Sequence, residues 1–386
     1  MVQAIVRRHQ ELARMRKAYT REKRLNEFQE HLSDIFADRS NSLSDFSVRG
    51  LFEALVDDGY ELVQYNMCGG SGGGVRLMES AGTVNTSLFA NIQGQYLYNA
   101  VLRAYEMPEL IGDRLVEVIP SRERSERIPG VTAIGDQVEV VKEGDPYPRA
   151  ITSERWVDMP DTVKRGMMVE ITEEVVFHDK TMQILQECSG IGRYIAINRE
   201  RRILDVVCGI STVYRRNGAA AAATYGSDNT STSNALVDYT SLDAADTKFM
   251  ALTDPDNGEP ISTTATHLVV PPALRNTANR ILNATMTGKW TSSSTNETRV
   301  AGNSLNQQVE MLYNQYVKER TSSDTTWFYG AMKMAFVYMQ NWPLRVDQEG
   351  ANGPEAFERD VIARFKASER GVAGVKERLC ALKATA

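Results

Sequence analysis

The sequence predicts an α+β fold on three observations: a long helix over 179–209, a charged two-stranded excursion over Pro120–Pro160, and a strand–diproline–helix unit over His267–Leu282. In the first, Ile184, Cys188, Ile191, Ile195, Ile203, Val206 and Val207 recur at helical spacing, while Arg193, Arg199, Glu200, Arg201 and Arg202 fill the remaining faces. At ~1.5 Å per residue such a helix is about 45 Å long, enough to brace a whole subunit. In the second, charges crowd the first arm, Val138 and Val140 alternate around Glu139, and the return arm carries Ile151 and Trp156 beyond a tip at Glu143-Gly144-Asp145-Pro146. A lone hairpin is marginal in water, so this one must lie against something, and its charge points to a polar surface on a neighbouring subunit. In the third, a short strand from His267 meets Pro271 and Pro272, which fix the turn and open a helix whose Leu274, Ala278, Ile281 and Leu282 face inward.

The remaining elements follow in chain order. Residues 1–36 contain no Gly or Pro, and Leu12, Met15, Tyr19, Leu25, Phe28, Leu32 and Ile35 mark a long helix broken near Glu22. Ser44 N-caps a second helix that buries Val48, Leu51, Phe52, Leu55 and Val56 and stops before Gly59. Gly69-Gly70-Ser71-Gly72-Gly73-Gly74 lacks the G-K-[ST] ending of a phosphate loop and reads as a flexible linker. Residues 88–106 form an amphipathic helix, and Met167–Phe177 alternates as a strand. Between 217 and 305 the composition shifts to Ala, Ser, Thr and Asn, which suits exposed excursions. A helix is expected over 304–318, strands at Trp327–Tyr338 and Pro343–Val346, and a final strand around Phe357–Phe365.

Composition narrows the class. With 386 residues, 42% of them apolar, the chain can build two or three domains around a sizeable core. No apolar run approaches the ~20 residues that span a bilayer, and the charged N-terminus lacks a signal-peptide core, so a soluble intracellular protein is expected. A net charge of −6 argues against a globally basic nucleic-acid binder, but the average hides a basic tail. Arg7, Arg8, Arg14, Arg16, Lys17, Arg21, Lys23 and Arg24 stand against only Glu11 and Glu22 in the first 24 residues, which leaves the body strongly acidic. Cys68, Cys188, Cys208 and Cys380 form no C-x-x-C, His9, His31, His178 and His267 lie far apart, and neither set suggests a metal, a cofactor or acid–base chemistry. Cys188, on the apolar helix face, reads as a buried inert thiol. The four N-x-[ST] sequons, at Asn85, Asn229, Asn283 and Asn296, read as chance matches.

The segment Leu268-Val-Val-Pro-Pro-Ala-Leu274 resembles the central domain of tailed-phage major capsid proteins with the HK97-type fold. The end, Phe357-Glu-Arg-Asp-Val-Ile-Ala-Arg-Phe-Lys-Ala-Ser-Glu-Arg-Gly-Val-Ala-Gly-Val375, is similar to the strand on which that family's peripheral domain closes. The charged hairpin falls where the family places its E-loop, and the 179–209 helix where it places its spine helix. The resemblance covers roughly residues 85–386 and rests on the order of these parts, since no catalytic signature defines the family. It implies a helical N-terminal arm over 1–66, a Gly-rich linker over 67–87 and an N-arm helix leading into the peripheral domain over 88–119. The E-loop then takes 120–165, the peripheral domain with its spine helix 166–213, the axial domain 214–346, and the peripheral return strand with the C-terminus 347–386. The helical arm departs from the family pattern. It is either a scaffolding-like extension removed by protease or a retained segment, and retention is the expectation.

The implied function is assembly rather than catalysis: a major capsid protein forming an icosahedral shell, in hexamers and pentamers, around packaged double-stranded DNA. Partners would be other copies of the chain, a portal protein, and scaffold and decoration proteins where the phage uses them, with no membrane and no sequence-specific DNA contact. Assembly would take place in the host cytoplasm and end in the virion capsid. Arg122, Glu123, Arg124, Glu126, Arg127, Lys142 and Asp145 are the candidate inter-subunit residues of the E-loop, against the plain alternative of a solvated charged turn. Family members that crosslink their shells use a Lys in the E-loop and an Asn on a neighbour. Lys142 is the only Lys between Pro120 and Pro160, but the sequence identifies neither an acidic catalyst nor the Asn. The eight basic residues of the arm either face DNA or, as the interspersed apolar stripe favours, touch acidic protein surfaces. Competing readings are an encapsulin-like compartment shell and a nucleotide-binding enzyme built on the Gly-rich loop.

Overall fold

The computed structural model describes most of residues 96–129, 156–172, 181–209, 229–253, 263–303, 308–349 and 361–386, with isolated residues between 15 and 36 and a short piece at 140–143. The expected helix after Ser44, the Gly-rich linker and the basic cluster of the arm lie outside the described residues. The chain divides into two units. One comprises Met1–Met107, Arg165–Ala196 and Leu344–Glu369, and the other Pro108–Lys164, Ile197–Pro343 and Arg370–Ala386.

In chain order the elements are α1 (Gly112–Leu115), β1 (Glu117–Pro120), β2 (Arg127–Pro129), β3 (Trp156–Asp158), β4 (Val163–Thr172), α2 (Thr181–Val207), β5 (Thr230–Ser231) and α3 (Tyr239–Met250). There follow β6 (His267–Val270), a 3-10 turn Pro272–Leu274, α4 (Arg275–Asn283), β7 (Met286–Lys289), β8 (Arg299–Gly302), β9 (Glu310–Tyr313) and α5 (Gln315–Thr321). The chain ends with β10 (Trp327–Gly330), α6 (Met332–Ala335), β11 (Phe336–Glu349), β12 (Val361–Val375) and β13 (Ala381–Ala384). The fold is α+β, as expected. No helix among the described residues is long and apolar enough to cross a membrane.

The heart of the second unit is a five-stranded sheet in the order β5-β13-β10-β6-β9. All four residues of β6 and of β10 are buried, the pattern of central strands covered on both faces. They pair antiparallel, with Val269 opposite Phe328 and His267 opposite Gly330. After β6, Pro271 holds an extended backbone (φ −69°, ψ 161°) and Pro272 opens the 3-10 turn that leads into α4, as the sequence indicates. Ala278, Ile281 and Leu282 of α4 are buried, while Leu274 packs partly buried against the same core. At the other side, Leu242, Ala245 and Phe249 of α3 enter that core, and Phe249 meets Tyr329 edge-on with ring centroids 5.9 Å apart.

The long helix is present as Thr181–Val207, and every apolar residue assigned to its inner face, from Ile184 to Val207, is buried. Burial pushes the Cys188 thiol up to about 12, with Glu187 adding to the shift, so this cysteine is inert. In the first unit the helix approaches residues 99–105 so closely that a Cβ on Gly192 would collide with the Val101 carbonyl oxygen, which only glycine avoids.

Three expectations need correction. Residues 310–313, taken as part of a 304–318 helix, form β9, because pairing in parallel with β6 completes the sheet; helix α5 starts only after Asn314, whose side chain accepts from Tyr316 N. The last long strand runs Val361–Val375, well past Phe365: its polar stretch is inside the sheet, where Ser368 is buried and Glu369 accepts from Tyr105 Oη at 3.1 Å. The polar region 217–305 is not all excursion, since it contains α3, whose three core residues are spaced among Asp, Ser and Thr.

His267 sits buried in β6, its Nδ1 2.7 Å from Thr266 Oγ1. Burial, reinforced by Lys333 and Arg114, holds its pKa below the usual imidazole value. Glu310 Oε2, 3.5 Å from Nε2, pulls the other way but is itself paired with Arg114, so the lowered value prevails. The unfolded chain therefore takes up this proton at a higher pH than the folded one, and stability is lost as pH falls below about 6.5. Melting temperature should drop between about pH 7 and pH 5, and His267→Gln should flatten part of that drop; parallel curves for the two proteins would exclude His267 as the group responsible.

Candidate functional site

The charged hairpin begins where β1 pairs in parallel with β11, Glu117 opposite Val337 and Pro120 opposite Gln340. Ser121 N donates to Gln340 O at 2.9 Å, extending the pairing by one bond. Asn341 then clamps the outgoing chain: its Nδ2 donates to Ser121 O at 3.1 Å and to Glu123 O at 2.8 Å. The two arms are held together by Thr162 N to Arg124 O (2.8 Å), Met159 N to Glu126 O (3.1 Å) and Ser125 Oγ to Met159 O (2.7 Å). Beyond these, β2 and β3 pair antiparallel with Ile128 opposite Val157. Ile128, Met159, Val337 and Met339 form a small buried cluster beneath, with Ile119 and Val372 packed on it. The hairpin base is thus built into its own subunit.

The sequence-predicted charges divide into two sets on this base. Arg124 pairs with Asp161 at 2.8 Å, and Arg127 pairs with Asp158 at 3.0 Å while lying over the Trp156 ring at 5.4 Å. Both arginines remain mostly exposed, 75% and 67%, so these pairs stabilise little and serve mainly to fix side-chain direction. Arg122 and Glu123 are exposed and Glu126 half-buried, and none of the three side chains has an ion-pair partner among the described residues. Lys142 is exposed. Asp145 and the basic arm residues Arg7, Arg8, Arg14, Arg16, Lys17, Arg21, Lys23 and Arg24 lie outside the described residues.

Two residues that position the base lie outside the apolar helix face that the sequence marks. Arg199 and Glu200 are buried. Glu200 Oε1 accepts from Ile111 N (3.1 Å) and Asn314 Nδ2 (3.0 Å), and Oε2 from Gly112 N (2.7 Å). Acceptance at both oxygens is the arrangement of an ionised carboxylate, although burial raises its pKa and the two backbone N–H groups only partly offset that. A Cβ at Gly112 would lie 2.6 Å from Oε2, so a larger residue there would displace the carboxylate from its donors. Arg199 pairs with Asp113 at 2.6 Å and covers the Tyr338 ring at 4.5 Å. Helical periodicity gave no warning, because these residues fall outside the apolar stripe; the glycine in Ile111-Gly112-Asp113 was the only local hint. Among the described residues no group of His, Cys, Asp and Glu is placed to hold a metal ion.

The charged hairpin base is thus braced within its own subunit, its arms packed on that subunit's core. The phage capsid protein family model matches residues 157–384, and the chain belongs to that family. Its function is to build the shell of a phage head, and its mixed helix-and-sheet architecture is consistent with the HK97-type fold. No curated protein matches the chain. Among solved structures it is similar to a virus-like particle from Pyrococcus furiosus, at 10% identity over 75% of this chain and 97% of that one, with a TM-score of 0.42. It is also similar to a structure from Mycobacterium phage Ogopogo (14%, 72% and 92%, TM-score 0.41) and to the capsid of the cyanophage P-SCSP1u (12%, 70% and 86%, TM-score 0.42).

Replacing Glu200 tests the brace. Glu200→Gln offers one acceptor oxygen where two were used and should lower stability by about 1–3 kcal/mol; Glu200→Ala, which leaves every donor unpaired, should cost more. Urea unfolding of the three proteins side by side checks this order, and a Gln variant as stable as the wild type would show that the carboxylate is not needed.

Proposed function

We propose that the chain is the major capsid protein of a phage whose subunits grip one another through the charged hairpin, in an icosahedral shell of hexamers and pentamers around double-stranded DNA. The observation that carries this reading is the division of labour in the hairpin: the base is fastened by β2–β3, Asn341 and the Ile128–Met159 cluster, while the exposed Arg122 and Glu123 and the half-buried Glu126 have no ion-pair partner among the described residues. Such charges, meeting complementary ones on a neighbour, set register and reject wrong docking more than they add affinity. The interface energy comes from the surface the hairpin buries.

Charge distribution supports the reading of the interior. Away from its basic first 24 residues the chain is acidic, and an acidic wall does not hold packaged DNA by phosphate contacts. The basic arm, with its apolar stripe, suits protein contacts, whether to neighbouring subunits or to a scaffold. A portal protein, and decoration proteins where present, complete the partners; assembly takes place in the host cytoplasm.

Three experiments test this. The purified full-length chain should give closed shells or capsomers in negative-stain images, and discrete dimers alone would oppose the reading. A variant that joins β2 to β3 by a short turn in place of residues 130–155 should melt like the wild type, since the base is fastened within the subunit, yet fail to form shells. Shells of normal yield from that variant would remove the hairpin from assembly. Deleting residues 1–40 should likewise impair assembly in the absence of DNA; normal shells from it would assign the arm no assembly role.

A further inference from the structure

The five-stranded sheet of the second unit ends at β9, whose one partner among the described strands is β6. Glu310 N donates to Thr266 O at 2.9 Å, so Glu310 turns its backbone groups toward β6. By the alternation of the ladder Met311, with Val309 and Tyr313 on either side, turns its N–H and C=O the other way. These outward groups have no hydrogen-bond partner among the described residues. Helix α4 packs against β9 beside this open edge. The flank it turns to β9 carries Arg275, Asn279, Leu282 and Asn283, spaced to share one side of a helix. Between that flank and residues 308–311 lies an open groove of about 530 Å³, whose apolar wall is Leu282, Val309 and Met311. At the Tyr313 end the Arg275 guanidinium stands 4.2 Å over the ring.

Polar groups in the groove are left available. Asn283 Nδ2 donates to Asn279 Oδ1, which leaves Asn279 Nδ2, Asn283 Oδ1 and the Gln308 amide without partners among the described residues. Glu310 also lines the groove, but its carboxylate is paired with Arg114. Helix α4 brings Arg275 and Arg280 and no acidic residue, so the open charge here is positive. An edge that offers N–H and C=O groups by turns, with free amides beside it, calls for a ligand with donors and acceptors in an extended row. A polyanion would use the donors alone and leave each C=O unpaired. A second copy pairing along β9 would bring a second α4, with its two arginines, against the first. An extended peptide satisfies both kinds of group and sets alternate side chains against Leu282 and Met311. The geometry points to a peptide-binding groove: an extended segment of another protein, apolar at alternate positions and acidic at the Arg275 end, adds to β9 as a sixth strand. The groove is complete within one subunit, so this binding does not depend on shell formation.

Random peptides of about nine residues, passed over the immobilised full chain and identified by mass spectrometry, test it. Retained peptides should carry Asp or Glu near one end and apolar residues at every second position. The tightest of them, labelled for fluorescence anisotropy, should bind Arg275→Glu at least about tenfold more weakly, and that variant should select Lys or Arg in place of the acid. With that peptide at saturation, amide exchange across Glu310–Tyr313 should slow at least about tenfold, because the outward N–H of Met311 gains a partner. Retention no better than on bare resin, a peptide held equally by Arg275→Glu, or exchange at β9 unchanged by the bound peptide would each overturn the assignment. Should Arg275→Glu fail to fold, Arg275→Gln carries the charge test with a smaller loss, and wild-type affinity in that variant would overturn it equally.

Discussion

Taking a carboxylate out of water costs several kcal/mol unless donors are fixed around it, and Glu200, like Glu369 and Glu377, is a point where this chain accepts that cost. Its three donors come from separate stretches of the chain: the backbone at Ile111 and Gly112, and the side chain of Asn314 just before α5. The consequence runs outward along the sequence. With Ile111 and Gly112 held on α2, the four-residue helix α1 ends at Leu115 and β1 starts at Glu117, already aligned with Val337 of β11. The same β11 carries Asn341, which clamps the first turn of the hairpin. A buried charge on a helix thereby sets the register of an exposed loop. Specificity of arrangement, more than net stability, is what such a buried group contributes here.

The same economy governs the hairpin. An isolated two-stranded ribbon does not hold its shape in water, so one that must reach a neighbour needs a foundation that does not depend on that neighbour. Ile128 and Met159 supply it by entering a cluster with Val337 and Met339. Gly374 is part of the same solution, because a Cβ there would collide with Met159 Cε. With the base settled by apolar packing and backbone bonds, its charges are not needed to hold it. The exposed pairs Arg124–Asp161 and Arg127–Asp158 add little to its stability.

What was legible in the sequence follows from which signals are local. The long helix and the strand–diproline–helix unit were visible because periodicity and proline geometry act within a few residues, and their predicted apolar faces are the buried ones. The hairpin base was visible from its crowded charges and its prolines. Strand β9 was not, because Glu310–Tyr313 becomes a strand only by pairing with β6, about forty positions away in the chain. Helix α3 was hidden by its composition: Leu242, Ala245 and Phe249 are enough to bury one face, but they are too few to stand out in a Ser/Thr/Asp-rich stretch. The burial of Arg199 and Glu200 was not legible for a different reason. Charge normally marks a solvated face, and only the approach of Ile111 and Gly112 turns this one inward.

Assembly adds a constraint that a monomeric fold does not face: surfaces must be attractive enough to associate yet not so apolar that they aggregate. The exposed large apolar residues of the second unit are scattered singly, as with Val237, Met250 and Tyr313. Tyr313 lies under Arg275, and Val237 adjoins Asp238. A single apolar side chain beside a charge gives little free energy against an arbitrary surface, because the flanking charge must also be desolvated. Against a surface of matching shape and opposite charge that penalty is offset, and only then does the apolar area count. Many such weak contacts, repeated by symmetry, give a shell that is stable as a whole while each contact remains reversible enough for misplaced subunits to leave.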